Sequence, residues 1–176
     1  GNDGFTLDST SKLTLSNIDL KGAANLIENQ GGILAFTNKN IIEGKVSGDN
    51  TATNTGILDI SANNLDTDLA NSGTLNLGAG TLLKQISGEG GQIVTKGNVI
   101  SSASNLGNDV TNTYNLTLTG GTIASDIVST GNTNITGAVI VGSDSVISNA
   151  INIALGASMT VDANKIGSDV NSNIIN

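Results

Sequence analysis

The chain contains no cysteine, proline, histidine or tryptophan, and all seven of its basic residues are lysines. Without cysteine there is no disulfide framework and no thiol chemistry, although that alone does not fix the compartment. Without histidine and cysteine, no Ser-His or Cys-His nucleophile can be assembled. Zinc sites lose their usual ligands for the same reason. Aromatic residues are limited to Phe5, Phe36 and Tyr114, so a compact core built on large ring payloads is not expected. No apolar run approaches the roughly 18 residues that a membrane-spanning helix needs. Positive charge is scarce as well. The lysines stand singly at Lys12, Lys21, Lys39, Lys45, Lys84, Lys96 and Lys165, and the net charge is −8. Nucleic acid or an anionic membrane would require clustered cations, so neither is expected as a partner, and solubility is the plain reading of the acidity. The first residue is Gly1, with no Met or signal peptide. The chain is therefore expected to be a piece of a longer protein, with targeting and anchoring segments elsewhere.

Gly, Asn, Ser and Thr fill the space these absences leave, interleaved with Ile, Leu and Val. A hydrophobic fraction of 37% is too high for a chain that fails to collapse. Fraying is expected only at the ends, Gly1 to Ser9 and Ser168 to Asn176. The clearest pattern is a near repeat. Asn54-Thr55-Gly56-Ile57-Leu58-Asp59-Ile60-Ser61 is echoed 17 residues later by Asn71-Ser72-Gly73-Thr74-Leu75-Asn76-Leu77-Gly78. A fixed period of that size, one short strand and a polar turn, marks a solenoid.

Similar rungs are anchored at Lys12, Gly32, Gly56, Gly73, Gly91, Asn115, Thr133 and Ile151, with steps of 17 to 24 residues. Alternating aliphatics within each rung predict short strands with one buried face. Second strands follow at Gly80-Thr81-Leu82-Leu83, Gly121-Thr122-Ile123, Ala138-Val139-Ile140-Val141 and Ser158-Met159-Thr160-Val161. Third apolar touches come at Leu65 and Leu69, Ile127 and Val128, Val146 and Ile147, and Ile166 with Val170. Three short strands per turn predict an all-β fold, a right-handed parallel β-helix of about eight rungs rising roughly 40 Å. Residues 1–176 form one unit, with rungs over about 12–165. A β-sandwich shares the short strands and glycine-rich turns. The regular spacing and the missing core aromatics favour the solenoid. No segment reads as a long helix, though a helical turn could sit within Asp162 to Ile175. Asn54 and Asn71, with Asn29 in a similar place, suit tight corners, because Asn tolerates left-handed backbone. Stacked in successive turns, their amides can form a ladder.

Candidate chemistry is sparse. Asp66 and Asp68 are the closest acidic pair and could serve glycoside hydrolysis if they converged on a sugar. No Arg, His or aromatic platform accompanies them, so a solvated turn is the simpler reading. Asp66-Thr67-Asp68, Asn108-Asp109 and Gly142-Ser143-Asp144 offer oxygen ligands for calcium, but none fits an EF-hand loop or a calcium-binding nonapeptide. Gly88-Glu89-Gly90-Gly91 lacks the Lys-Ser/Thr end of a phosphate loop. Asn115-Leu116-Thr117 and Asn134-Ile135-Thr136 match the glycosylation acceptor pattern, which chance explains in so Asn- and Thr-rich a chain. Thr117-Leu118-Thr119 has no matching ranks of the kind an ice-binding face needs. No catalytic, cofactor-binding or metal residue is assigned.

In its repeated Asn-Thr/Ser-Gly-x-Leu-x-Ile/Leu units and Gly-Thr-Leu/Ile echoes, the chain resembles a Gram-negative autotransporter passenger. It is similar, too, to secreted adhesins of the filamentous-haemagglutinin type. The resemblance spans residues 12 to about 165 and implies folding outside the outer membrane, turn upon turn. It implies a non-enzymatic stalk or adhesin segment at the bacterial cell surface or secreted from it, associated with virulence. Partners would be a host or bacterial cell-surface protein or glycan, with self-association a further option. A polysaccharide-active β-helix enzyme is the alternative, and a pure scaffold a third. Irregular loops between Asn38 and Asn54 and between Ile100 and Tyr114 are the expected places for specific recognition.

Overall fold

A computed structural model gives the structure and describes residues 4–22, 24–148 and 150–162. The chain is an all-β parallel β-solenoid of about nine turns. Every strand pairing is parallel, and partners lie one turn apart in sequence. Three faces repeat. The first runs through Phe5–Leu7, Asn25–Asn29, Lys45–Gly48 and Leu65–Asp66, and continues through Gly80–Leu82, Val99–Ser101, Asn115–Leu118, Asn132–Ile135 and Ile151–Ile153. The third carries Ile57–Ser61, Thr74–Gly78, Gln92–Thr95, Asp109–Asn112 and Ile127–Ser129 in one register. Between them, the second holds Ala52–Asn54, Leu69–Asn71 and Ile86–Ser87. A 3-10 turn at Ala103–Asn105 interrupts this face before it resumes with Gly121–Ile123, Ala138–Val141 and Ser158–Thr160.

Alternation decides which side chains enter the core. Along Ile57–Ser61 and Thr74–Gly78 the inward residues are Leu58 and Ile60, then Leu75 and Leu77, all buried. The outward Asp59 and Asn76 stack one above the other. Aliphatic columns such as Leu58, Leu75, Ile93, Val110 and Ile127 therefore run along the axis in contact, turn on turn. Side chains of medium size and uniform shape fill such a column without voids, which accounts for the Ile/Leu/Val core and the shortage of rings. Phe36, fully buried, is the one aromatic residue of that core.

Corners require close approach. A Cβ on Gly56 would lie 2.0 Å from the Asn38 carbonyl oxygen, and one on Gly73 would lie 2.1 Å from that of Gly56. Only glycine lets those backbones pass.

Several details depart from the sequence reading. Phe5–Leu7 is a paired strand rather than a frayed end. With the strand at Phe5–Leu7 added, the stack reaches about nine turns where about eight were expected. Gly32 is not the counterpart of Gly56. The strand Ile33–Ile42 is ten residues long and bends from the second face into the third, so Ile57 stacks on Lys39. Once that register is set, Asn38 to Asn54 contains no bulging loop, because Lys45–Gly48 and Ala52–Asn54 are paired strands. Asn115 likewise opens the first face, not the third. Ile166, Val170 and the helical turn expected in Asp162 to Ile175 lie outside the described residues, apart from Asp162 itself.

Candidate functional site

The polar interior of the rod comes first. Asn54 and Asn71 do not occupy left-handed corners; that conformation belongs to Asn17 (φ 56°) and Asn38 (φ 55°). Asn54 and Asn71 instead point inward, fully buried, and form the expected ladder. Asn54 Nδ2 donates to Asn71 Oδ1 at 2.7 Å, and Asn71 Nδ2 donates to Asn108 Oδ1 at 2.9 Å. The Gly56 N–H donates to Asn54 Oδ1 at 3.2 Å, so the amide also ties down its own corner. Asn29 is no member of this ladder. It is buried on the first face, where its Nδ2 reaches the Asn50 carbonyl at 3.4 Å and its Oδ1 has no partner. A second internal ladder, unanticipated from the sequence, runs at the corner between the third and first faces. Thr95 Oγ1 donates to Asn112 Oδ1 at 2.8 Å, and Asn112 Nδ2 donates to Ser129 Oγ at 2.9 Å.

The acidic candidates are engaged separately. Asp66 pairs with Lys45 at 2.6 Å and lies 3.9 Å from Lys84. Asp68 accepts the Gln85 N–H at 2.9 Å. Between them Thr67 is fully buried, its hydroxyl donating to the Asn50 carbonyl at 2.8 Å. The three side chains of Asp66-Thr67-Asp68 thus reach different partners. Asn108 faces inward on the amide ladder, whereas Asp109 accepts the Asp126 N–H at 3.0 Å. Asp126 in turn accepts the Val146 N–H at 2.8 Å. Carboxylates at this corner fasten each turn to the next. Gly142-Ser143-Asp144 forms a tight turn closed by the Ser145 N–H on the Gly142 carbonyl. Among the described residues, no three acidic side chains come together as a metal group, and no helix is long and apolar enough to cross a membrane.

Two surface features stand out. The first is an open groove of about 660 Å³ on the third face, lined by Ile41, Ile60, Asp59, Asn76, Glu43 and Lys96 among others. Its carboxylates are occupied: Asp59 accepts from Asn76 Nδ2, and Glu43 pairs with Lys21 at 3.4 Å. The second is an external amide row on the first face. Asn115 Nδ2 donates to Asn98 Oδ1 at 3.3 Å, and Asn132 Nδ2 donates to Asn115 Oδ1 at 3.0 Å. Alongside it, Ile100, Thr117, Asn134 and Asn152 stack in register, with Asn152 Nδ2 on Asn134 Oδ1 at 3.0 Å. Tyr114, 47% exposed, stands at the corner beside Asn115. Sequence reasoning had not singled out this surface, although the 17-residue spacing of Asn98, Asn115 and Asn132 was available in the sequence.

No protein-family model, curated protein or solved structure matches this chain.

Proposed function

We propose that this chain is a non-enzymatic, extracellular segment of a bacterial surface protein, a β-solenoid stalk or adhesin that supports attachment to host or neighbouring cells. One observation carries the reading. Many of its polar groups serve turn-to-turn stacking: inside, Asn54 bonds Asn71 one turn on, and Asn108 bonds the Gly88 carbonyl and, across that turn, Asn71; outside, Asp68, Asp109 and Asp126 each hold a neighbouring turn. A molecule built this way maintains a long surface. Folding by addition of turns suits export as an unfolded chain, since each new strand finds a template in the last one formed. The polysaccharide-enzyme reading draws on the third-face groove, where Glu43 and Asp59 share a lining with Lys96.

Beads carrying the full chain test the attachment reading on layers of bacterial and mammalian cells. Retention above that of beads carrying heat-unfolded chain is expected. Equal retention on both layers would contradict the proposal. Release of reducing ends from polysaccharides, abolished by Asp59→Asn, would establish the enzyme instead.

A further inference from the structure

The first face between Asn98 and Asn152 differs from the rest of the rod in charge. From Gly97 to Val161 the ionisable acids and bases are Asp109, Asp126 and Asp144 alone, apart from Tyr114. Asp109 and Asp126 lie where the chain enters the third face, and Asp144 lies in the turn leading to it. The first face here thus carries amides, hydroxyls and Ile100, and the nearest cation in sequence is Lys96 at its rim. On a chain of net charge −8, such a stretch is conspicuous.

Its hydrogen-bonding groups are fixed and only half used. A carboxamide has two N–H donors and two acceptor lone pairs. In linking Asn98 to Asn132, Asn115 uses one side-chain N–H, and its oxygen accepts one bond. The remainder face outward on an exposed residue. Successive turns repeat this presentation at the interstrand spacing of ~4.8 Å. The backbone that carries the aromatic group at the edge is equally well held. The Tyr114 N–H donates to Asn112 Oδ1 at 3.2 Å, while its carbonyl accepts from Asn112 Nδ2 at 3.0 Å and from the Asn132 N–H at 3.0 Å. One turn above stands Gly131, whose hypothetical Cβ would lie 2.0 Å from the Tyr114 backbone carbonyl oxygen. Gly97 occupies the same column one turn below. Neither neighbour has a side chain to cover the ring.

We infer that this surface, Tyr114 with the Asn98–Asn115–Asn132 row and its neighbour Thr117, docks an uncharged glycan. Sugar hydroxyls both donate and accept, as the free amide positions do. A pyranose also has an apolar C–H face that suits a half-exposed ring. Absence of charge from the face disfavours uronate or phosphate polymers, which would find only Lys96. The inference rests on the attachment reading and names its partner class.

Tyr114 is the sole tyrosine in a chain without tryptophan, so tyrosine emission reports this place alone. The full chain is titrated with neutral gluco-, manno-, galacto- and N-acetylhexosamine oligosaccharides and with oligogalacturonate. A saturable emission change with at least one neutral series, unmoved by added salt, is expected. Asn115→Ala should weaken it about tenfold. By calorimetry Tyr114→Phe should retain binding and Tyr114→Ala should lose about tenfold, with the circular dichroism of all three variants unchanged. No saturable response to any neutral series would overturn the inference. So would binding restricted to oligogalacturonate and abolished by salt, or variants that bind like the parent. Self-association abolished by Asn115→Ala would reassign the face to a second copy. If beads bearing Tyr114→Ala adhere as well as the parent, this site falls and the attachment reading stands. If parent chain binds sugar but its beads do not adhere, the reverse holds.

Discussion

At the residue scale, the same side chain does opposite work depending on which way the strand turns it. Asn71 is fully buried and partnered on both sides by Asn54 and Asn108, whereas Asn115 makes comparable bonds in water. Removing Asn71 leaves the buried Asn108 oxygen without its donor and Asn54 Nδ2 with only its backbone acceptors at 3.3 Å, whereas removing an exposed amide lets water take over. Asn71→Ala should therefore cost about 1–3 kcal/mol in urea unfolding, and Asn115→Ala less than about 1 kcal/mol. Equal costs would show that the interior ladder adds nothing. Gly73 belongs to the same logic of contact. Its Cβ would meet the Gly56 backbone at 2.1 Å, so Gly73→Ala should cost about 1–3 kcal/mol through forced separation of two turns. The ladder was legible in the sequence because Asn54 and Asn71 stand before equivalent glycines at the repeat distance. What the sequence hid was direction. Asn-x-Gly read as a left-handed corner, but here the amide bonds its own corner from within and leaves close approach to the glycine.

At the scale of the strand, Ile33–Ile42 shows why the rungs misaligned. Most corners between the second and third faces carry glycine, yet this one is turned by Asn38 at φ 55°, and Asn17 turns the one below it. Asn bears that conformation at modest cost, whereas a β-branched side chain strains it. Chemically, Gly32 resembled Gly56; structurally it precedes a different face. Asn38→Gly should keep or raise the melting temperature, and Asn38→Val should destabilise by about 1–2 kcal/mol. If Val is neutral, the bend is not where the strand is constrained. At the first turn, Asp8 accepts from the Thr10 hydroxyl, the Ser11 hydroxyl and the Thr10 N–H at 2.8, 2.8 and 2.9 Å. These bonds, with that of the Thr10 hydroxyl the largest, hold its carboxyl pKa below the ordinary value. Because the folded pKa is lowered, the contribution to stability is present above the ordinary aspartate range and lost as pH falls through the folded value. A carboxyl NMR titration should find the Asp8 midpoint rising in Thr10→Val. An unmoved midpoint would mean the hydroxyl bond is absent in solution.

For the whole molecule, stacking makes turns interchangeable. Ile57 stacks under Thr74, and Asn54-Thr55-Gly56 matches Asn71-Ser72-Gly73 in position and chemistry. The general architecture was readable from that period, and the exposed first-face row could have been found by the same spacing. Its meaning was not readable, since an outward Asn and an inward one look alike until the register is known. The interruption at Ala103–Asn105 added to this, moving the apparent anchor from one face to another. Deleting residues 57–73 removes one turn and joins Gly56 to Thr74, leaving Asn54 in the place of Asn71. Deleting residues 57–74 removes one residue more and sends Leu75 and Leu77 outward, because a single-residue slip reverses a strand's faces. Thermal unfolding of these two variants, followed by circular dichroism, is the most direct test of the stacked register. The 57–73 deletion should melt cooperatively near the parent temperature, and the 57–74 deletion should melt far lower or lack the β signal. Matching behaviour of the two deletions would contradict the account.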